Sequence, residues 1–278
     1  MFYKDVQSKS AGVFKRLTGV KRSTFEKMVS VVKEHLWRKR KHPSRGAPPK
    51  AAMEDQVLMM LMYYREYRTF LHTATSYGYS ESQGWRIVRR MEDILIKSGV
   101  FRLPGKKVLL KMESGLLGKL LVVDVGESPV ERPKKKQRRY YSGKKKRHTQ
   151  KIQLIVTLTG KIICVAIGKG RMHDFRLYRE SKTHLHSDLT LKADSGYQGV
   201  KKLHGNSEVP HKRSKKKPLT LEQKAYNRSV SSERVVVEHV LRKLKVFRIL
   251  SERYRNRRKR FGLRVNLIAA ILNYELEN

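Results

Sequence analysis

Three carboxylates stand out in a chain of 278 residues whose net charge is +40. Asp124 ends the apolar run Leu120-Leu121-Val122-Val123, and Asp194 ends Leu189-Thr190-Leu191-Lys192-Ala193. An ionised carboxylate beside a core is costly unless it is paired or binds a cation. Glu238 sits in the helical segment Arg234 to Lys245, with Arg234 four residues before it and Lys245 seven after, all near one face. An i,i+4 ion pair accounts for Arg234 with Glu238 but not for two aspartates at strand ends. Acids supplied by separate strands and a helix can meet at one centre and hold Mg²⁺, and two such ions about 3.5–4 Å apart serve phosphoryl transfer. The competing reading is that each aspartate caps a turn or pairs with one of the many arginines.

Other polar residues carry less. Asp174, after Gly170-Arg171-Met172-His173, is a rival for the second ligand, and capping of a helix over 175–181 competes with that role. Glu127 reads as an outer group near Asp124. His148, His173 and His211 lack metal-like spacing and read as structural or phosphate contacts. Cys164 lies in an apolar strand and reads as a small core residue. Tyr197 after a strand and Trp85 on a helical stripe read as packed aromatics.

The charge narrows the partner. Residues 1–100 carry a net +11 and residues 101–278 a net +29. Three basic clusters dominate the second part: Arg132–Arg147, His211–Lys217 and Arg253–Arg260. The first contains Arg132, Lys134, Lys135, Lys136, Arg138, Arg139, Lys144, Lys145, Lys146 and Arg147, interleaved by Tyr140 and Tyr141. Cations beside aromatic rings suit a nucleic-acid backbone, with steep salt dependence. No run approaches 18 apolar residues, the first residues lack a signal-peptide core, and one cysteine excludes an internal disulfide framework. These features predict a soluble intracellular protein with DNA or RNA as partner. A membrane surface is the weaker option.

The elements that must position the acids follow from pattern. Ser23 to Glu26 fits a capping box ahead of the helical spacing Phe25, Met28, Val29, Val32, Leu36. Arg38–Lys50 is Pro-rich and basic and reads as a loop. A helix is predicted from Met53 to about Tyr67, then a short segment Thr69–Ser76, the turn Tyr77-Gly78-Tyr79, and a second capping box at Ser80–Gln83. The helix it opens carries Arg86, Arg89 and Arg90 largely off the apolar line. Helix, short turn, helix is the outline of a DNA-binding helix-turn-helix, and an ordinary helical hairpin competes. After Leu103-Pro104-Gly105 strands are predicted at Leu120–Asp124, Ile152–Thr159, Ile162–Ile167 and Leu189–Asp194, with a hairpin turn at Gly160-Lys161. Helices return at about Tyr226–Leu250 and Phe261–Leu276.

From roughly Phe14 to Tyr274 the chain resembles a bacterial DDE transposase of insertion sequence family five, with an N-terminal helix-turn-helix. The carrying segments are Asp124 with the basic stretch after Ser128, Gly170–Asp174, Ala193–Gly199 and Arg234–Leu250. The family's glutamate signature is Tyr, two residues, Arg, three residues, Glu, six residues, Lys or Arg. Arg234, Glu238 and Lys245 match it, and the tyrosine falls on Ser231. After Asp124 the family's small residue and threonine are Val125 and Gly126.

The resemblance implies an α/β fold: an all-α helix-turn-helix domain over 1–104, then an RNase H-like catalytic domain with a mixed sheet over 105–278. It implies Asp124, Asp194 and Glu238 as catalytic metal ligands, Mg²⁺ (with Mn²⁺ able to substitute) as cofactor, and Arg234 and Lys245 as contacts to terminal DNA or to Glu238. The activity implied is cleavage at transposon ends by water, then strand transfer by the freed 3′-hydroxyl. No covalent protein–DNA intermediate is involved. The partners implied are the terminal inverted repeats and target duplex, with a homodimer in the DNA complex, in the bacterial cytoplasm at the nucleoid. The alternative is a DNA-binding protein without catalysis, a regulator or a transposase remnant. A structural RNA-binding protein is a third reading, carried by charge alone.

Overall fold

The computed structural model describes residues 1–39, 50–111, 119–213 and 218–278. Most of the predicted loop Arg38–Lys50 and part of the His211–Lys217 cluster lie outside the described residues. The chain forms two compact units. The first comprises Met1–Arg102, Leu244–Glu252 and Asn266–Asn278, and the second Leu103–Lys243 and Arg253–Val265. The expected division at 104/105 lies two residues from the first crossing. The chain then returns, because Leu244–Glu252 and Asn266–Asn278 bury their apolar residues in the first unit. Phe247 occupies the space beside Gly19, where a Cβ would lie 2.6 Å from its ring, and Tyr274 packs on Phe101.

The first unit is helical: α1 (Tyr3–Val6), α2 (Ala11–Thr18), α3 (Arg22–Lys39), α4 (Met53–Glu66), α5 (Phe70–Thr75) and α6 (Glu81–Lys97). Helix α4 is buried almost all round, with Val57, Leu58, Met59, Met60 and Leu61 fully enclosed. Such a helix forms the centre against which amphipathic neighbours pack. Helix α3 starts one residue ahead of the predicted cap at Ser23. The Lys21 amide is taken instead by the carboxylate of Glu275, which also pairs with Lys15 at 2.8 Å.

The Ser80 box forms as predicted: its hydroxyl accepts from Gln83 N–H while the Gln83 side chain accepts from Ser80 N–H. Gly84, one turn into α6, faces Ala74 of α5 so closely that a Cβ would lie 2.5 Å from the Ala74 Cβ. Two small residues thus let the helices of the helix-turn-helix meet.

The second unit is built on a mixed sheet: β1 (Leu120–Pro129), β2 (Tyr141–Ser142), β3 (Arg147–Thr157), β4 (Ile162–Lys169), β5 (Thr190–Lys192) and β6 (Ser207–Glu208). β3 is antiparallel to β1 and β4, and β1, β5 and β6 run parallel. The order β4-β3-β1-β5-β6 places β1 at the centre, as an RNase H-like sheet requires. β2 pairs with the start of β3, and Gly160 at φ 84° turns the chain from β3 into β4. Helix α7 (Asp174–Glu180) follows β4, and α8 (Leu221–Lys245), α9 (Arg248–Ser251) and α10 (Phe261–Glu277) close the chain.

Leu121 and Val123 of β1 face a core with Ile155, Leu191, Ala193 and Tyr197. Strand alternation sends Val122, Asp124 and Gly126 to the other face. There α8 lies: a Cβ on Gly126 would be 2.8 Å from Leu241, and the hairpin glycine Gly160 faces Val240 and Val236. Cys164 is buried in the core with its thiol pushed up to about 11, as its apolar reading predicts. No helix among the described residues is long and apolar enough to cross a membrane.

Candidate active site

Asp124 and Asp194 come together by strand register. The parallel pairing of β1 and β5 runs Leu120 to Thr190, Leu121 to Leu191 and Val122 to Lys192. The ladder ends there, and two residues further along both chains come Asp124 and Asp194, close enough for the Asp194 charge to act on Asp124. Asp124 lies inside β1, which runs on to Pro129 rather than ending at the aspartate, and Asp194 follows the end of β5 at Lys192.

Asp194 accepts a hydrogen bond from Gly196 N at 2.7 Å and so caps the 3₁₀ turn Ser195–Tyr197. Asp174 joins them from the first turn of α7. A Cβ on Gly196 would lie 2.9 Å from Asp194 Oδ1 and 3.5 Å from Asp174 Oδ2, so the two carboxylates flank one gap that glycine leaves open. The other Asp174 oxygen accepts from Lys151 Nζ at 2.7 Å.

The electrostatics follow from crowding. Burial pushes the Asp124 carboxyl up to about 6, and the neighbouring Asp194 and Asp174 push in the same direction. A hydrogen bond from the Val125 backbone and the charge of Arg234 oppose them. Arg234 Nη2 lies 3.9 Å from Asp124 Oδ1, with its side chain 13% exposed. Its Nε is buried without a hydrogen-bond partner. Tyr197 is fully buried under the acids, its hydroxyl 3.3 Å from Gln153 Oε1, and burial followed by the three aspartates holds its phenol well above the ordinary range. That agrees with its reading as a packed aromatic.

The predicted residues therefore divide. Asp124 and Asp194 are brought together and Arg234 reaches Asp124. Glu238 is exposed on α8, one turn beyond Arg234, and among the described residues no three His, Cys, Asp or Glu side chains close into a group able to hold a metal ion. Asp174 does not cap α7: His173 is the cap residue, and the Asp174 carboxylate turns to Lys151. Glu127 accepts from Thr149 at 2.7 Å at the far end of β1. Lys245, half-buried, closes α8 within the segment that belongs to the first unit, whereas Arg234 belongs to the second.

On the first unit, Arg86 and Arg90 are exposed on α6 and Arg89 is half-buried. Trp85, predicted as core, is 41% exposed and lies under the Arg89 guanidinium at 4.4 Å. The buried face of α6 instead runs through Gly84, Ile87, Val88, Met91 and Leu95. Position 84 takes the inward place beside Ala74 and turns Trp85 outward.

All ten cations of the Arg132–Arg147 cluster are exposed. The structure joins this cluster to Arg253–Arg260, which sequence separation hides. Val130 forms a parallel bridge with Tyr254, and Arg258 lies over the Tyr140 ring at 4.4 Å. Arg257, Arg258 and Arg260 hold positive φ, a conformation unusual for residues with a side chain.

A family model described as DDE superfamily endonuclease matches residues 123–273, and one described as helix-turn-helix of DDE superfamily endonuclease matches residues 52–101. The chain belongs to the DDE superfamily of endonucleases, and within it to the insertion-sequence transposases with a helix-turn-helix that binds DNA. It is 53% identical over 268 residues to the probable transposase for insertion sequence element IS702 of Microchaete diplosiphon, covering 96% of this chain and 95% of that protein. It is 25% identical over 214 residues to the putative transposase for insertion sequence element IS112 of Streptomyces albus G, covering 75% of each. No solved structure matches the chain. Enzymes of this superfamily depend on divalent metal.

Proposed function

We propose that the chain cuts DNA at the ends of its insertion sequence and joins the freed 3′-hydroxyl to target DNA, with Asp124, Asp194 and Glu238 as the catalytic acids. The closeness of Asp124 to Asp194, brought about by the parallel pairing of β1 with β5 and felt as a mutual charge effect, carries this reading. The donor types fit a hard divalent cation: the Asp124 carboxylate is crowded by Asp194 and Asp174, and those two flank a gap left open by Gly196. Mg²⁺, with Mn²⁺ as substitute, matches those donors. When bound, two such ions lower the charge of the phosphate and the pKa of the attacking oxygen.

The chain's own groups do the rest. Asp124 must shed its proton to serve, and Arg234 favours the ionised form. Glu238 supplies the third carboxylate from α8, about 6 Å along the helix from Arg234. The orphaned Nε of Arg234 is a donor suited to a phosphate oxygen. In the first step a water oxygen bonds to phosphorus as the bond to the 3′ oxygen breaks, leaving a 3′-hydroxyl on the element. In the second that oxygen attacks a target phosphate and displaces the target's 3′ oxygen. Lysines and arginines of the 132–147 cluster hold the backbone without reading sequence, and Arg86, Arg89 and Arg90 face DNA from α6. The complex holds two ends and two copies of the chain, in the cytoplasm at the nucleoid.

The reading as a binding protein without catalysis is not favoured, because the endonuclease match spans all three acids. The test is incubation of end-containing DNA with Mg²⁺ or Mn²⁺. Nicked ends and joined products are expected. Tight binding with no product under either metal would refute the proposal.

A further inference from the structure

The connection from β4 into α7 carries basic side chains that the catalytic reading leaves unused. Arg139, Lys169, Arg171, His173 and Arg176 line a concave site of about 460 Å³ with a single acid, Glu180. Glu180 is itself engaged by Arg176 at 2.7 Å on an exposed pair, which holds Arg176 in place at small energetic gain. Backbone hydrogen bonds tie the walls: Arg171 N to Arg139 O at 3.2 Å, Met172 N to Lys169 O at 2.9 Å, and Gly170 N to Thr149 O at 3.1 Å. Gly170 has no room for a Cβ, which would lie 2.5 Å from Tyr140 O, so the two stretches of chain are locked against each other.

The site's position gives it meaning. The turn that presents His173 and Arg176 to the cleft presents Asp174 to the acidic centre. On the other side Arg139 leads to Tyr140, whose ring carries Arg258. The cleft therefore links the joined basic clusters to the paired aspartates. Several cations converging in a concavity with one acid make an anion site, and guanidinium groups match phosphate oxygens in geometry.

We propose that this cleft binds a backbone phosphate of the DNA strand that enters the acidic centre, with Arg171 and Arg176 as its principal contacts. The inference rests on the DNA-cleaving reading for what the strand is there to do. Its own test reads binding alone, without metal, and so stands or falls separately.

The experiment uses the full chain, in EDTA, and an end-containing duplex with one neutral methylphosphonate placed at successive positions around the cut. For wild type, one or two positions should weaken binding. For Arg171→Ala/Arg176→Ala the same positions should no longer matter, and the slope of log affinity on log salt should fall by about 2. Both side chains are exposed, so the thermal midpoint should hold, and Arg171→Lys should keep most of the slope. Unchanged slope with unchanged sensitivity at every position would overturn the proposal. So would loss of inorganic phosphate or nucleoside triphosphate binding by the variant with its methylphosphonate pattern intact, since the cleft would then serve a small phosphate.

Discussion

Gly126 of β1 and Leu241 of α8 meet where a Cβ would come within 2.8 Å of the leucine Cδ2. A glycine two residues after Asp124 looks like a loosening substitution in the sequence alone. In the fold it is the point where the helix bearing Glu238 lies down on the strand bearing Asp124. Gly126→Ala forces buried Leu241 to move, and overpacking of this kind costs about 1–3 kcal/mol. The denaturant midpoint should fall, and cleavage should fall further than stability, because α8 shifts with the leucine. An unchanged midpoint would show that Leu241 yields freely.

Asp124 makes stability depend on pH. Its folded carboxyl titrates near 6 against 3.8 unperturbed, so the folded chain holds this proton more tightly than the unfolded chain. The stabilising contribution is complete below about 3.8 and is lost as pH rises through about 6. The loss is on the order of 2–3 kcal/mol. In EDTA the Asp124→Asn variant should therefore gain on wild type between pH 4 and pH 7, read as the difference of their denaturant midpoints. A difference that does not change with pH would contradict the burial argument. Metal must displace the same proton, so at limiting metal cleavage should decline as pH falls.

Arg234 favours the ionised form of Asp124 and offers an unpaired Nε beside it. Arg234→Gln should raise the pH at which cleavage reaches half its maximum, whereas loss of a mere surface ion pair would leave the profile in place. Arg234→Lys keeps the charge and should restore the profile in part.

Gly84 and Ala74 leave no space between α5 and α6. Gly84→Val should lower the thermal midpoint and weaken binding to the element's ends at least tenfold, by spreading the two helices of the reading head. Retained end binding by a folded variant would show that α6 docks without α5.

Much of this arrangement is legible in the residues. Apolar runs ending in Asp124 and Asp194 mark two strands of one buried sheet, and a carboxylate at each end is conspicuous against a net +40. Ser80 and Gln83 announce α6 because a capping box is a local interaction. What stayed hidden depends on contacts distant in sequence. Trp85 falls on a helical stripe, but the contact of Gly84 with Ala74 fixes which side of α6 faces inward. Asp174 looks like a cap until Lys151 is placed beside it, and no spacing joins those two residues. Tyr140 and Arg258 are far apart in the chain and meet only because Tyr254 bridges to Val130 at the end of β1. The return of Leu244–Glu252 to the first unit has no signal in composition, since Phe247, Ile249 and Leu250 would suit either core.

The central claim is that Asp124, Asp194 and Glu238 act as one metal-holding set. The most direct measurement is the Mn²⁺ affinity of wild type and of the Asp124→Asn, Asp194→Asn and Glu238→Gln variants, with end cleavage followed in the same samples. Each substitution should weaken Mn²⁺ binding at least tenfold and abolish cleavage, while binding to the ends in EDTA stays near wild type. Glu238→Gln with wild-type Mn²⁺ affinity and wild-type cleavage would contradict the account.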